Sequence, residues 1–131
     1  MKQNNKELGN SGENTARLFL ESKGYKIIAK NYRGNKKEID IIAQKDGHII
    51  FAEVKTRSSA NFGTPSESVD IRKQRHIISA AKSFIAYSGG LYAEFQPRFD
   101  VIEIYRDNRA GKDYVRHIKG AFITNEENNR G

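Results

Sequence analysis

The chain contains no cysteine. That excludes a disulfide framework and any metal site built on thiolates. A reducing cytoplasm fits the absence. No apolar run approaches the ~20 residues of a membrane span, and the opening MKQNNKELGNSGEN has no apolar core of the kind a secretory signal needs. The expectation is therefore a cytoplasmic protein with no membrane partner. The three histidines, His48, His76 and His117, stand far apart, so a histidine-based metal or acid–base site is not expected. Neither a Ser-His-Asp arrangement nor a glycine-rich phosphate loop can be drawn. Internal repeats and low-complexity tracts are missing as well.

What remains is a basic globular chain. Its 131 residues carry a net charge of +7, with 37% hydrophobic and 30% charged residues. One domain spanning 1–131 is expected, with a core over about 6–122. Surplus Lys and Arg favour polyanionic partners through counterion release. Many small basic proteins carry such a charge for solubility alone, so charge by itself does not assign nucleic-acid binding.

Periodicity divides the chain into seven elements. Residues 6–23 read as a helix with Leu8, Gly12, Ala16, Phe19 and Leu20 on its buried stripe and Gly24 as its cap. Glu13 borders that stripe. YKIIAKNYR (25–33) reads as a strand, GNKK as a turn, and EIDIIAQKDGHIIFAEVKTR (38–57) as a strand hairpin. SSANFGTPSES (58–68) is a loop by composition. A second helix runs from Ile71 to Tyr87, with Asp70 as N-cap, Ile77, Ile78, Ala81, Phe84 and Ile85 as its stripe, and SGG (88–90) as its end. RFDVIEIYR (98–106) and YVRHIKGAF (114–122) are two further strands, joined by a turn at RAG. Residues 123–131 read as a frayed tail. The order α-β-β-β-α-β-β predicts an α/β domain with a central mixed sheet flanked by helices.

The hairpin raises the functional question. Asp46-Gly47 predicts a two-residue type I′ turn. That turn pairs Lys45 with His48, and the register then sets Asp40 opposite Glu53 and Glu38 opposite Lys55. By alternation, one face holds Ile39, Ile41, Ala43, Ile50, Ala52 and Val54. The other holds Ile42, Ile49 and Phe51 near the turn, then Asp40, Glu53, Glu38 and Lys55 at the far end. Two opposed carboxylates repel, the more so when desolvated. Lys55 can offset part of this. A hard divalent cation, Mg²⁺ or Mn²⁺, would offset more, because such ions take carboxylate, water and phosphate oxygens. The other reading is a solvated ladder of ion pairs on an edge hairpin. A bulge near the acids would break the pairing and keep the cluster.

An Asp followed, after a hairpin, by Glu-x-Lys resembles the PD-(D/E)xK nuclease superfamily, whose fold is restriction-endonuclease-like. More closely, the chain is similar to the YraN-like uncharacterised bacterial family, itself similar to archaeal Holliday-junction resolvases. The resemblance rests on GE (12–13), GYKIIAKNYR, EIDIIA, FAEVKTR, GTPSESV, the helix of Lys73 and RFDVIEI, in order from about residue 9 to 104. It implies that Asp40 and Glu53 are metal ligands, joined by the carbonyl of Val54. It implies that Lys55 orients the attacking water or meets developing charge, and that Glu13 completes the metal site or holds its water. Two positions depart from the pattern: Ile39 stands where the superfamily's name has proline, and Lys37 where the family leads one to expect glycine.

The chemistry implied is metal-dependent hydrolysis of phosphodiester bonds, with Lys55 acting on phosphate as a point charge. RKQRH (72–76) puts cations at a helix N-terminus, against the macrodipole. Arg72, Lys73, Gln74 and Arg75 are therefore candidate nucleic-acid contacts, with an ordinary solvated face as the alternative. Arg33, Lys36, Lys37 and Arg57 would extend the basic rim. Asp100 either supports the site from behind or pairs with Arg98. The leading reading is an endonuclease acting on DNA before RNA, on branched or recombination and repair intermediates; a homodimer is expected by analogy only. The alternatives are a non-catalytic nucleic-acid-binding module on the same fold and a basic protein that binds no nucleic acid.

Overall fold

The computed structural model describes residues 5–65, 69–107 and 109–124, the first six of them by backbone only. Seven principal elements follow in the expected order: α1 (Asn5–Ser22), β1 (Lys26–Gly34), β2 (Lys37–Lys45), β3 (His48–Ser58), α2 (Ile71–Ala86), β4 (Gln96–Asp107) and β5 (Lys112–Phe122). A short 3-10 turn, Ser59–Asn61, follows β3. The strands lie side by side in chain order as one five-stranded sheet. Three neighbouring pairs are antiparallel and β3–β4 is parallel, so the sheet is mixed and α2 is the crossover that a parallel pair requires.

Local chemistry explains the turns. Asp46 and Gly47 both have positive φ (50° and 79°), which is the type I′ geometry, and Lys45 does pair with His48. The turn before β2 is built likewise, on Asn35 and Lys36 at φ 52° and 63°. Gly24 ends α1 at φ 89°, where Tyr25 N–H donates to the Leu20 carbonyl, satisfying a carbonyl the helix leaves open. Asp70 caps α2 by accepting from Arg72 N–H at 2.8 Å. β4 and β5 begin about two residues earlier than their apolar runs, because ladder pairing carries polar residues such as Gln96 and Lys112 into the sheet.

The two helices cover opposite faces. Ala16 and Leu20 of α1 pack with Tyr25, Ile41, Ala43, Ile50, Ala52, Ile102 and Ile104. Ile77, Ile78 and Ala81 of α2 pack with Ile42, Ile49, Phe51, Phe99 and Val101. Ile41, Ile42, Ile49 and Ile50 are fully buried, each contributing ~1.5–3 kcal/mol over an exposed position. β4 is buried on both faces from Phe99 through Tyr105, and so encloses two acids, Asp100 and Glu103. Of the expected α1 stripe, Leu8 lies outside the described side chains. The tail expected over 123–131 lies outside the described residues beyond Thr124.

One expectation of the register fails where function was expected. The β2–β3 ladder holds the predicted pairing only as far as Ile41 opposite Ala52. Asp40 and Glu53 are not ladder partners, nor are Glu38 and Lys55. Ile39 also leaves its expected face: it packs with Ile42 under α2, not with Ile41 under α1. The physical cause is local. The β1–β2 register skips Asn31 and Asp40, and Asn31 has φ 52°. Strict alternation is lost at Ile39–Asp40, and the strands part there.

Candidate active site

Where the ladder stops, a side chain takes the place of a backbone acceptor. Val54 N–H donates to Asp40 Oδ2 at 2.8 Å. This bond fixes the Asp40 carboxyl at the fork between β2 and β3. Burial is the chief reason its pKa is pushed up to about 6; the Val54 bond opposes this, the charges of Glu13 and Glu53 add to it, and Lys73 opposes it. Asp40 therefore feels α1 on one side and α2 on the other. Glu13, on α1, is raised above its ordinary value by burial first and by Glu38 as well, while its bond to Asn31 and the charge of Lys30 pull it down.

Glu53 points to the α2 face, by alternation from Phe51. Its Oε1 is 3.4 Å from Lys73 Nζ. Its Oε2 is buried and has no hydrogen-bond partner, a condition that costs ~1–3 kcal/mol or more for a charged group. Beside it is a cavity of about 10 Å³ lined by Glu38, Ile39, Asp40, Ala52, Glu53, Lys73 and Ile77. That is about the room one water needs. Hard oxygen donors around so small a space suit a small hard cation. Asp40 and Glu53 could hold one. Among the described residues, however, no three carboxylate or imidazole groups stand close enough to form a ready-made metal cluster.

Lys73 occupies the place at the acids that sequence reasoning gave to Lys55. Lys55 is half-buried, and no ion pair or hydrogen bond joins its ammonium to another described residue. Its register partner is Glu103 of β4. Glu103 is almost wholly buried and takes Arg116 Nε at 2.7 Å and Arg57 Nε at 3.2 Å. Arg57 is thus tied to an internal acid instead of standing in a free basic rim. Glu103 went unnoticed in the sequence because the run VIEIY reads as an ordinary strand; its one signal was an acid centred in an apolar run.

The remaining cations gather in part. Arg33, Lys36, Lys37, Lys73 and His76, with Glu38, line a cleft of about 340 Å³ next to the acids. His76 is held below its ordinary value by desolvation and by Lys37, Arg72 and Lys73. Arg72 and Arg75 are exposed on α2. Gln74 is engaged elsewhere, its amide donating to the Val69 carbonyl at 2.8 Å. Asp100 belongs to a separate buried network on the α1 side. It accepts from Arg98 Nε and a second guanidinium nitrogen at 2.9 and 2.8 Å, and from Gly120 N–H at 3.0 Å. His117 Nε2 lies 2.7 Å from it. Of the two alternatives for Asp100, the structure has the Arg98 pairing; the histidine, thirteen residues beyond Ile104, was not anticipated.

Residues 12–104 match the model of a family described as the uncharacterised protein family UPF0102. A UPF0102 protein of Caldanaerobacter subterraneus subsp. tengcongensis is 46% identical over 122 residues, 92% of this chain and 98% of that one. A UPF0102 protein of Caldicellulosiruptor bescii is 47% identical over 91% of this chain and 99% of its own length. One from Clostridium perfringens is 47% identical over 93% and 98%. The chain belongs to the UPF0102 family. The matched segment runs from Gly12, beside Glu13, to Ile104 of β4, and so takes in Asp40, Glu53, Lys55 and Lys73.

Proposed function

We propose that the protein is a divalent-metal-dependent nuclease hydrolysing phosphodiester bonds in DNA, on a restriction-endonuclease-like sheet akin to that of archaeal Holliday-junction resolvases. Branched recombination and repair intermediates are its favoured substrates under this reading. One observation carries it: the buried, partnerless Oε2 of Glu53 beside a cavity it shares with Asp40. Two desolvated acids at the fork of a sheet cost stability, and a cation is what would offset that cost.

Asp40 and Glu53 would hold Mg²⁺ or Mn²⁺, with the Val54 carbonyl beside them and Glu13 reached through water. The cation, when bound, supplies Lewis acidity toward the phosphate and acidifies water. The chain's own residues do the rest. Val54 N–H keeps Asp40 from turning away. Glu13, with its raised pKa, can accept or return a proton on the α1 side. Lys55, whose ammonium has no ion-pair partner among the described residues, would meet the phosphate. Lys73 would pass from Glu53 to the same phosphate once a cation takes the acid. Arg33, Lys36 and Lys37 in the adjoining cleft would receive the backbone on one side of the cut.

A second reading, nucleic-acid binding without cleavage, has one observation in its favour. Lys73 already offsets Glu53 at 3.4 Å, so the acids are not wholly without a counter-charge. Titration of Mn²⁺ into the purified protein by calorimetry separates the two. The nuclease reading expects saturable binding that Asp40→Asn and Glu53→Ala both abolish, and strand cleavage lost with it. No binding to the wild type, even with a short DNA duplex present to supply phosphate oxygens, would refute it in favour of the binding module.

A further inference from the structure

Beyond the acids, the same face of the sheet ends in exposed aromatic rings. Phe62 is 50% exposed and Tyr114 36%. Their ring centroids are 4.8 Å apart, tilted 32°. Phe62 also meets Tyr105 edge-on at 5.3 Å, and Tyr105 is Tyr114's partner across β4–β5. Burial does not account for this placement, because half of Phe62 stays in water. The loop that carries it is nonetheless fixed. Arg116 donates to the Thr64 carbonyl at 2.8 Å and to the Tyr105 hydroxyl. Phe62 N–H closes the 3-10 turn on Ser59, and Ser58 caps that turn.

Register places the rings relative to the site. Glu53, Lys55 and Arg57 succeed one another on the α2 face of β3. Arg57 pairs with Tyr105, and Tyr105 with Tyr114. Tyr114 is therefore two residues along and two strands across from Lys55. At ~3.3 Å per residue and ~4.8 Å per strand, that is on the order of 12 Å, or three to four stacked nucleotides at ~3.4 Å each. Cations continue past the rings. Arg109 and Lys112 are exposed in the β4–β5 hairpin. A cleft of about 540 Å³ lined by Ser58, Ser59, Ala60, Arg106, Asp107 and Arg109 opens on the other side of the same loop.

Fixed, half-exposed aromatic rings with cations beyond them match the way unpaired nucleic acid is held: bases stack on rings while phosphates meet basic side chains. We infer that Phe62 and Tyr114 form a stacking platform for an unpaired base of the substrate strand, a few nucleotides from the acids. This inference rests on the nucleic-acid reading above and narrows it to substrates with single-stranded or frayed segments next to the cut.

The chain has no tryptophan, so Tyr114→Trp introduces a single reporter at the platform. The protein is held in chelator so that nothing is cut. A short single-stranded oligonucleotide at saturation should quench the new emission, and heparin, which offers anions without bases, should not. Phe62→Ala should weaken single-strand binding about 5- to 100-fold while leaving duplex binding and its salt dependence unchanged. Phe62→Leu, which keeps the packing volume, should weaken it too, and Tyr114→Phe should not. Saturable single-strand binding without quenching, or with unchanged affinity in Phe62→Ala and Phe62→Leu, overturns the platform and leaves the nuclease reading standing. Failure of the wild type to bind either single strand or duplex at low salt overturns both.

Discussion

Replacing Asp40 by asparagine should make the metal-free protein more stable at neutral pH, although it removes the charge on which the proposed chemistry depends. The carboxyl is held at about 6, against 3.8 for an ordinary aspartate. The folded protein therefore binds this proton more tightly than the unfolded chain does. Folding stability falls as pH rises through the window between those two values, and the loss is complete above about 6. At ~1.4 kcal/mol per pH unit, ionised Asp40 costs the fold about 3 kcal/mol. Asparagine keeps an acceptor for Val54 N–H, and the charged form's advantage in that bond is already counted in the raised value. The gain is therefore about 3 kcal/mol, or roughly 10–15 °C in Tm for a chain of this size. The assay is thermal unfolding in chelator at about pH 3.5 and about pH 7.5, on either side of the window. The variant's advantage should appear only at the higher pH. Adding Mn²⁺ at the higher pH should then raise the wild type and leave the variant where it was. A variant less stable than the wild type at neutral pH, or an advantage independent of pH, would refute the claim that Asp40 is a desolvated, charge-repelled group.

Two further substitutions test close packing and buried charge elsewhere in the fold. A Cβ on Gly12 would lie 2.2 Å from Thr56 Oγ1, so Gly12→Ala should destabilise by about 1–3 kcal/mol, against the ~1 kcal/mol gain that alanine normally brings inside a helix; Thr56→Ala in the same chain should restore the loss, and urea unfolding of both reads the sign directly. Asp100→Asn should cost ~3–5 kcal/mol, because Arg98 and His117 lose their buried anion. Burial alone would raise the Asp100 carboxyl, but His117, Arg98 and Gly120 N–H together hold it below 3.8. Its stabilisation is therefore present above that value and lost as pH falls through the lower folded one, so the wild type should show an acid unfolding limb that Asp100→Asn lacks.

Much of the fold could be read from local chemistry. Positive-φ residues mark both hairpins of β1–β3, Gly24 and Asp70 mark helix ends, and the described apolar stripes of both helices are packed against the sheet. β4 and β5 were read two residues short because polar residues at strand ends are held by the ladder, which leaves no apolar trace. The buried acids Asp100 and Glu103 were illegible as a pair of networks. Each takes a hydrogen-bond partner from β5, His117 at Asp100 and Arg116 at Glu103, and cross-strand pairing that distant cannot be inferred without the register of β4 and β5. Glu103 in particular absorbs Arg57, which its place at the charged end of the hairpin had put on a basic rim.

Asp40, Glu53 and Glu13 do lie near one another, but not in the cross-strand geometry the sequence predicted, for two physical reasons. The register from Asp46-Gly47 is a local property of the turn, and it holds while both strands are regular. It lapses at Asp40, which the β1–β2 ladder also skips together with Asn31 at φ 52°; a strand answers to both neighbours, and the hairpin carries information about only one. The second reason is Lys73. A cation in the first turn of a helix opposes the macrodipole, and such a misfit calls for an anion. The sequence supports that inference but does not say whose anion. In the structure it is first of all Glu53 of the same chain. The lysine end of this pair is half-exposed while Glu53 is mostly buried, and at 3.4 Å the pair's net contribution is modest, on the order of 1 kcal/mol, so it is poorly explained as a structural clamp. Under the proposed chemistry it would serve as an exchangeable cation: Lys73 would screen Glu53 until a metal ion took the acid, and its ammonium would then be available to the phosphate.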